Sequence, residues 1–265
     1  MTVPDAGALA RARDLAAEAA RAPRDLILAR FRSPDLVVET KSDGTPVTAA
    51  DRAAETAIRQ RLRGSAEFGA FEIFGEEGGA EGGPADCRWL IDPIDGTRGF
   101  ARGIPTFGTI VALEERESGR ELAGAIHLPV TNETLAGARG LGAERDGKRL
   151  RASAATDLRT AIIALPDVAE FREAGMERAW AAVHAACDRV RGYTDCWAHA
   201  LVVAGAVDAM LEAALSPWDV RATQVLIIEA GGGYRARPSR VAGKTDIVFG
   251  SPVLVDRIAE LAGFE

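Results

Sequence analysis

Trp89-Leu90-Ile91-Asp92-Pro93-Ile94-Asp95-Gly96-Thr97 carries more information than any other stretch of the chain. An apolar run of strand length ends in two carboxylates three positions apart, and a glycine and a hydroxyl residue follow at once. The run predicts a buried strand. Two acids at its end repel each other and lose water, so they stay ionised at low cost only with a cation between them. The Gly-Thr step offers backbone N–H groups where a helix can begin, and such a place attracts anions. Cation and anion sites side by side point to metal-assisted chemistry on a phosphate.

The rest of the chain gives this stretch its setting. Its 265 residues suit two small domains or one large one. Hydrophobic residues make up 47% and charged residues 27%, a globular profile. The net charge of −7, with no basic tract, argues against nucleic acid as a partner. Cys87, Cys187 and Cys196 form no C-x-x-C pair and are odd in number, so a reducing cytoplasm is the expected setting. Met1 to Ala10 has no basic residue followed by an apolar core, so no signal peptide is expected. No apolar run approaches the ~20 residues of a membrane span.

Toward the N-terminus, residues 5 to 31 predict a helix and Leu36–Thr40 a short strand. Lys41-Ser42-Asp43-Gly44-Thr45-Pro46 reads as a loop. Thr48-Ala49-Ala50-Asp51 resembles a capping box that opens a helix to about Arg63. Phe71–Phe74 predicts a strand leading into Gly75-Glu76-Glu77-Gly78-Gly79, and the glycine-rich segment 78–86 reads as a mobile loop. From Thr106 to Ser153 apolar and polar residues alternate between turn clusters, the pattern of an antiparallel meander. Beyond residue 155 strands alternate with helices: strands at Ala161–Leu165, Arg189–Tyr193, Ala206–Glu212 and Asp246–Gly250, helices from Val168 to Ala186, through Val203, and from Trp218 to Ala230. The chain thus divides into an α+β part, 1–154, with the metal-binding loops and antiparallel sheet, and an α/β part, 155–265, that completes the active site.

Glu76, Asp92, Asp95 and Asp219 are the strongest candidates for chemistry. Three fall where a strand ends, and Asp219 follows Trp218 at a helix start. A hard cation such as Mg²⁺ takes oxygen ligands and bridges to phosphate. Carboxylates from separated segments supply those ligands and at close spacing can hold two metals.

Gly75-Glu76-Glu77, the stretch Trp89–Thr97, and Trp218-Asp219-Val220 with Glu229-Ala230-Gly231-Gly232 resemble the three motifs of the inositol monophosphatase family, in order and spacing. The resemblance implies an α/β (α+β) fold, a layered α-β-α-β-α sandwich of the inositol monophosphatase and fructose-1,6-bisphosphatase type. It also implies a homodimer that hydrolyses small-molecule phosphate monoesters with two or three Mg²⁺ per site, Mn²⁺ being an alternative. By the same resemblance Glu76, Asp92 and the Ile94 carbonyl hold one metal, and Asp92, Asp95 and Asp219 a second. Thr97 and Glu76 orient the attacking water, and Asp51 hydrogen-bonds the Thr97 hydroxyl. The N–H groups of Gly96 and Thr97 hold the phosphate, with Asp95 also at the substrate. Lys41 matches a basic residue near the metal loop.

Among the branches of that family, Lys41–Thr48 with Asp51, Asp95-Gly96-Thr97-Arg98-Gly99-Phe100 and Gly103–Thr109 are most similar to the histidinol phosphatases. Inositol-specific members carry Thr-Asn where this chain has Arg98-Gly99, and the nucleotidases that act on 3′(2′),5′-bisphosphates carry a Lys-Glu-Phe that is absent here. Tyr193-Thr194-Asp195-Cys196-Trp197 is similar to a Gly-Asp-Cys-Tyr region of that branch, with Thr194 for Gly and Trp197 for Tyr. Asp195 and Glu212 match positions that contact the organic part of the substrate. Two carboxylates suit the ammonium of histidinol phosphate, though they would also accept hydrogen bonds from inositol hydroxyls.

Each residue also has a plainer reading. Asp51 and Asp219 could simply cap helices, Glu77 could be a solvated loop acid, and Arg98 a surface or dimer-facing residue. His127, His184 and His199 have no ligand spacing and read as packing or surface residues, Cys196 as a small buried residue, Trp89 and Trp218 as core anchors. A non-catalytic, metal-dependent binding or scaffolding relative is the alternative from another class; it could lose Thr97 or Glu76 without cost.

Overall fold

The central strand is the one the apolar run predicts. Cys87–Asp95 is buried along almost its whole length, with Trp89 and Ile91 in one core and Leu90 in another. That alternation belongs to a strand covered on both faces. The computed structural model describes residues 5–41, 44–83 and 85–264, so Ser42 and Asp43 of the expected loop, and Pro84 of the glycine-rich segment, lie outside the described residues.

Eight strands form a mixed sheet in the order Lys148–Arg149, Gly142–Arg145, Glu133–Ala138, Arg120–Leu128, Gly108–Glu115, Cys87–Asp95, Glu72–Gly75 and Gly79–Glu81. Only the Glu72–Gly75 and Cys87–Asp95 pair is parallel. The remainder is the antiparallel meander its alternating pattern predicts. A second sheet of five orders Arg189–Arg191, Ile162–Ala164, Ala209–Leu215, Thr245–Gly250 and Gly233–Pro238.

Helices fill the spaces around these sheets. Ala6–Arg21 and Ala49–Arg63 cover the outer face of the large sheet, with Leu15, Ile58 and Leu62 in one core with Trp89, Ile91 and Val111. Asp195–Val203 and Pro217–Glu229 lie between the sheets, where Val202, Val220 and Leu226 share a core with Leu90, Ile110, Met210 and Phe249. Val168–Glu173, Glu177–Ala186 and Pro252–Ala262 close the far face through Phe171, Val183 and Leu254 against Ile163, Leu211 and Val248. The protein is therefore an α-β-α-β-α sandwich. Its middle layer packs closely: a Cβ on Gly124 would stand 2.7 Å from Ala222 Cα, so the helix that carries Asp219 rests directly on the strand Arg120–Leu128.

Local differences from the sequence reading have simple causes. The helix expected over 5–31 ends at Arg21 and restarts at Arg24, because Pro23 has no N–H to continue the ladder. The helix expected from Val168 to Ala186 divides at Gly175, whose φ is +68°. Part of the 78–86 segment is not loop, since Gly79–Glu81 pairs with Glu72–Gly75. The strand expected at Ala206–Glu212 runs Ala209–Leu215. Gly233–Pro238 is an edge strand whose side chains are half-buried or exposed, so no apolar alternation marks it. Among the described residues no helix is long and apolar enough to cross a membrane.

His127 illustrates how a buried polar group ties the fold to pH. It is fully buried, with Nδ1 2.9 Å from Thr134 Oγ1, which also accepts Arg21 Nε at 2.8 Å. Burial first, then the charges of Arg21 and Arg24, lower its pKa from 6.5 to about 4. A depressed histidine favours the neutral folded form. Its contribution is whole above the unfolded pKa near 6.5 and is lost as pH falls toward about 4. Calorimetry of the metal-free protein should find that the Tm advantage of wild type over His127→Leu shrinks from pH 7 to pH 4. A pH-independent gap would contradict this origin.

Candidate active site

Asp92, Asp95 and Asp219 each offer a carboxylate oxygen, and these oxygens lie within 4.8 Å of one another. Residues i and i+3 of a regular strand face opposite ways. Here the pairing with Gly108–Glu115 is irregular between Asp92 and Asp95. Such a break re-aims side chains and lets both acids serve one strand end. Asp219 arrives from the opposite layer, at the third position of Pro217–Glu229. One of its oxygens accepts the Ser216 N–H at 2.7 Å, so it caps its helix and faces the other acids at once.

The cluster is electrostatically unfavourable by itself. Burial, then the charges of Glu76, Asp95 and Asp219, raises the Asp92 pKa well above the ordinary carboxylate range. Burial, then Asp195 and Asp219, does the same to Asp95. Burial, then Glu76, brings Asp219 to about 7. Asp92 is buried and Asp95 and Asp219 are half-buried, and clustered carboxylate oxygens that repel one another are the donor set a hard divalent cation stabilises, so these residues fit such an ion.

Glu76 adjoins these three acids, its side chain within hydrogen-bond reach of Asp92 and its charge acting on Asp92 and Asp219. Its N–H donates to Ile91 O at 3.1 Å, which anchors it to the central strand. Its Oε1 accepts Lys41 Nζ at 2.7 Å, and the same ammonium is 2.6 Å from Glu77 Oε1. Burial alone would lower the Lys41 pKa, but the bonds to Glu76 and Glu77 outweigh it and raise it. The Ile94 carbonyl accepts the Thr97 hydroxyl at 2.8 Å, while the Ile94 N–H donates to Asp92 Oδ1 at 3.0 Å.

Thr97 lies where the short helix Thr97–Ala101 begins. Its hydroxyl is 3.2 Å from Asp51 Oδ1. The other Asp51 oxygen accepts the Thr48 N–H at 2.8 Å and the Thr48 hydroxyl at 2.6 Å, the expected capping box. Asp51 thus serves as helix cap and Thr97 partner together. Gly96 has φ +88°, and a Cβ there would sit 3.1 Å from Thr106 O and 3.3 Å from Phe107 Cα, so only glycine makes this turn without strain.

A second acidic group borders the first. Asp195 opens the helix Asp195–Val203 with φ +57°, and the next N–H, that of Cys196, donates to Asp95. Burial, then the charge of Glu212, raises Asp195 to about 6. Glu212 is buried on Ala209–Leu215 and accepts His199 Nε2 at 2.6 Å. Arg98 is exposed, yet its positive charge acts on Asp195 and on Glu170. Burial and the acids Asp95 and Asp195 keep the Cys196 thiol protonated, its pKa well above the usual range.

Four residues escape the sequence reading. Glu55 is buried, accepts the N–H groups of Glu77 and Gly78 at 2.8 and 2.9 Å, and pairs with Arg59 at 2.7 Å, so it shapes the loop that carries Glu76. Its i,i+4 spacing to Arg59 is visible in the sequence, but resembles an ordinary solvated pair. Glu170 is half-buried, and burial with the charges of Glu212 and Asp195 raises it to about 7. Lys244 Nζ donates to Ser216 Oγ, and its charge acts on Asp219. His199, which reads as a packing residue, is instead a buried polar link.

Fold and site define a phosphomonoesterase of a kind that works with divalent metal ions. The chain belongs to the inositol monophosphatase family, whose model matches residues 9–262. It is 35% identical to a histidinol-phosphatase of Chlorobaculum parvum over 87% of this chain and 88% of that one. It is also 35% identical to the Nus factor SuhB of Escherichia coli K12, over 83% and 82%. A solved inositol monophosphatase from Zymomonas mobilis superposes with a TM-score of 0.82 at 29% identity, covering 97% of this chain and 99% of that one.

Two outcomes follow from the repulsion among the acids. Adding Mg²⁺ at 100 times its Kd should stabilise the wild type by about 2.7 kcal/mol, a Tm rise of roughly 5–10 °C. Asp92→Asn should raise the metal-free Tm while abolishing most of that metal-dependent rise. Scanning calorimetry with and without chelator checks both, and an undiminished metal response in Asp92→Asn would exclude Asp92 from the metal site.

Proposed function

We propose that this protein hydrolyses histidinol phosphate to histidinol and phosphate with Mg²⁺ or Mn²⁺. The observation that carries the substrate is the cluster of Asp195, Glu212 and Glu170 beside the Asp92–Asp95–Asp219 site, three acids whose charges act on one another. A cationic leaving group suits that cluster better than a neutral polyol does, because it offsets charge as well as filling hydrogen bonds. Similarity to a histidinol-phosphatase over most of both chains supports the same reading. We further read the protein as a cytoplasmic homodimer, a setting consistent with its three buried free cysteines.

The residues take roles their geometry allows. Asp92, Asp95 and Asp219 would hold the ions, with Glu76 and the Ile94 carbonyl completing the shell. Ions held there would supply the chemistry that lowers the cost of forming hydroxide and of releasing an alkoxide. The Thr97 hydroxyl donates to the Ile94 carbonyl at 2.8 Å; with that carbonyl given to an ion, the hydroxyl would donate to Asp51 Oδ1, 3.2 Å away, and its oxygen would accept a hydrogen bond from the attacking water and orient it. The Gly96 and Thr97 N–H groups hold phosphate oxygens. Asp195, Glu212 and Glu170 bind the ammonium, and Arg98 limits the repulsion among them.

Purified enzyme with Mg²⁺ should turn over histidinol phosphate at least tenfold faster, in kcat/KM, than inositol 1-phosphate or 3′-phosphoadenosine 5′-phosphate. A faster rate on inositol 1-phosphate would overturn the substrate assignment. The preference should also depend on pH. Asp195 and Glu170, raised to about 6 and about 7, gain charge as pH rises. The KM of histidinol phosphate should therefore fall relative to that of inositol 1-phosphate between pH 5.5 and pH 7.5. Both substrates carry the same phosphate, so its own ionisation cancels in that ratio; the imidazole of histidinol phosphate loses its charge over the same range, so the fall in KM measures the gain at the ammonium, which stays charged throughout.

A further inference from the structure

His199 has no part in the chemistry above, yet it is among the most constrained polar side chains of the molecule. It is 2% exposed, and both ring nitrogens are engaged. Nε2 lies 2.6 Å from Glu212 Oε2, and Nδ1 lies 2.7 Å from Thr223 Oγ1. The Phe249 ring meets the imidazole edge-on, centroids 5.1 Å apart and planes at 76°. A carboxylate can only accept, so Nε2 carries a proton and the Thr223 hydroxyl meets Nδ1. The ring cannot turn without breaking both bonds inside a packed core.

The three partners belong to different elements. Glu212 is on Ala209–Leu215, Thr223 on the helix that carries Asp219, and His199 on the helix that opens at Asp195. No other hydrogen bond reaches the Glu212 carboxylate among the described residues, and neither of its oxygens is buried without a partner. One oxygen is therefore fixed by His199 while the other remains available.

We infer that His199 is a positioning residue, which fixes one oxygen of Glu212 so that the other faces the leaving group and favours an ammonium-bearing alcohol over an uncharged one. This rests on the aminoalkyl-phosphate reading of the site. Without the imidazole, Glu212 samples other rotamers and loses its fixed aim, and binding must then supply that order.

The test compares histidinol phosphate with p-nitrophenyl phosphate, which has no cationic group, in the Mg²⁺-loaded enzyme. His199→Leu should lower the kcat/KM ratio of the first to the second about tenfold, mainly through the KM of histidinol phosphate. His199→Gln, which keeps an N–H donor, should recover most of the ratio. A purely structural role would depress both substrates in proportion, and an unchanged ratio overturns the inference. A readout without turnover accompanies these rates: the wild-type imidazole Nε2–H should give a downfield, slowly exchanging proton resonance that Glu212→Gln shifts upfield. Its absence from the wild type overturns the inference as well. If His199→Leu does not fold, the resonance decides. If the wild type shows no preference for histidinol phosphate, the substrate reading fails, and the resonance alone decides whether His199 holds Glu212.

Discussion

Mutual repulsion among carboxylates crowded at one strand end is the constraint on which the rest of this structure turns. The large sheet ends its central strand in Asp92 and Asp95, and the layer behind it aims Asp219 at the same point. Bringing like charges together inside a protein costs free energy that only hydrogen bonds and a counter-ion offset. The fold manages part of this cost locally. Asp51, Asp92 and Asp219 each give one oxygen to a nearby backbone N–H, from Thr48, Ile94 and Ser216 respectively. These bonds fix the carboxylates and reduce their rotamer freedom before any ion arrives. The question of cap or site, which the sequence leaves open for Asp51 and Asp219, has no exclusive answer, because a carboxylate has two oxygens.

The same division of labour explains why this part of the site is legible in the sequence. Caps, turns and strand ends are local, and their residues stand at fixed spacing: Thr48 to Asp51, Asp92 to Thr97, Ser216 to Asp219. The layered order is legible for a related reason. Alternation from Thr106 onward marks the meander, and strand–helix alternation after residue 155 marks the second sheet. What escapes is non-local. Glu55 looks like half of a solvated i,i+4 pair until the loop 75–79 folds over it. Glu170 gains its meaning only when Val168–Glu173 packs on the small sheet near Glu212. Pro23 and Gly175 are visible breakers, yet the apolar pattern runs through both and conceals the interruption.

Two acidic groups therefore adjoin, and they are balanced by different means. Around Asp92, Asp95 and Asp219 the charge of Lys244 acts on Asp219, while Lys41 is engaged by Glu76 and Glu77. The shortfall there is what a divalent ion fills. Around Asp195, Glu212 and Glu170 the protein supplies its own partial balance, Arg98 from the exposed side and His199 from the buried side.

That difference bears on specificity. The Cys196 N–H bond to Asp95 joins the two acidic groups one backbone step from Asp195. Asp195 holds φ +57° at this step, a conformation Asp tolerates better than most residues. A site built this way ties recognition of the alcohol to the geometry of the bond being broken. Selectivity then depends less on how many acids surround the leaving group than on how firmly each is held. On that measure Glu212, gripped by a buried ring that is itself held at Thr223, is the most sharply aimed of the three.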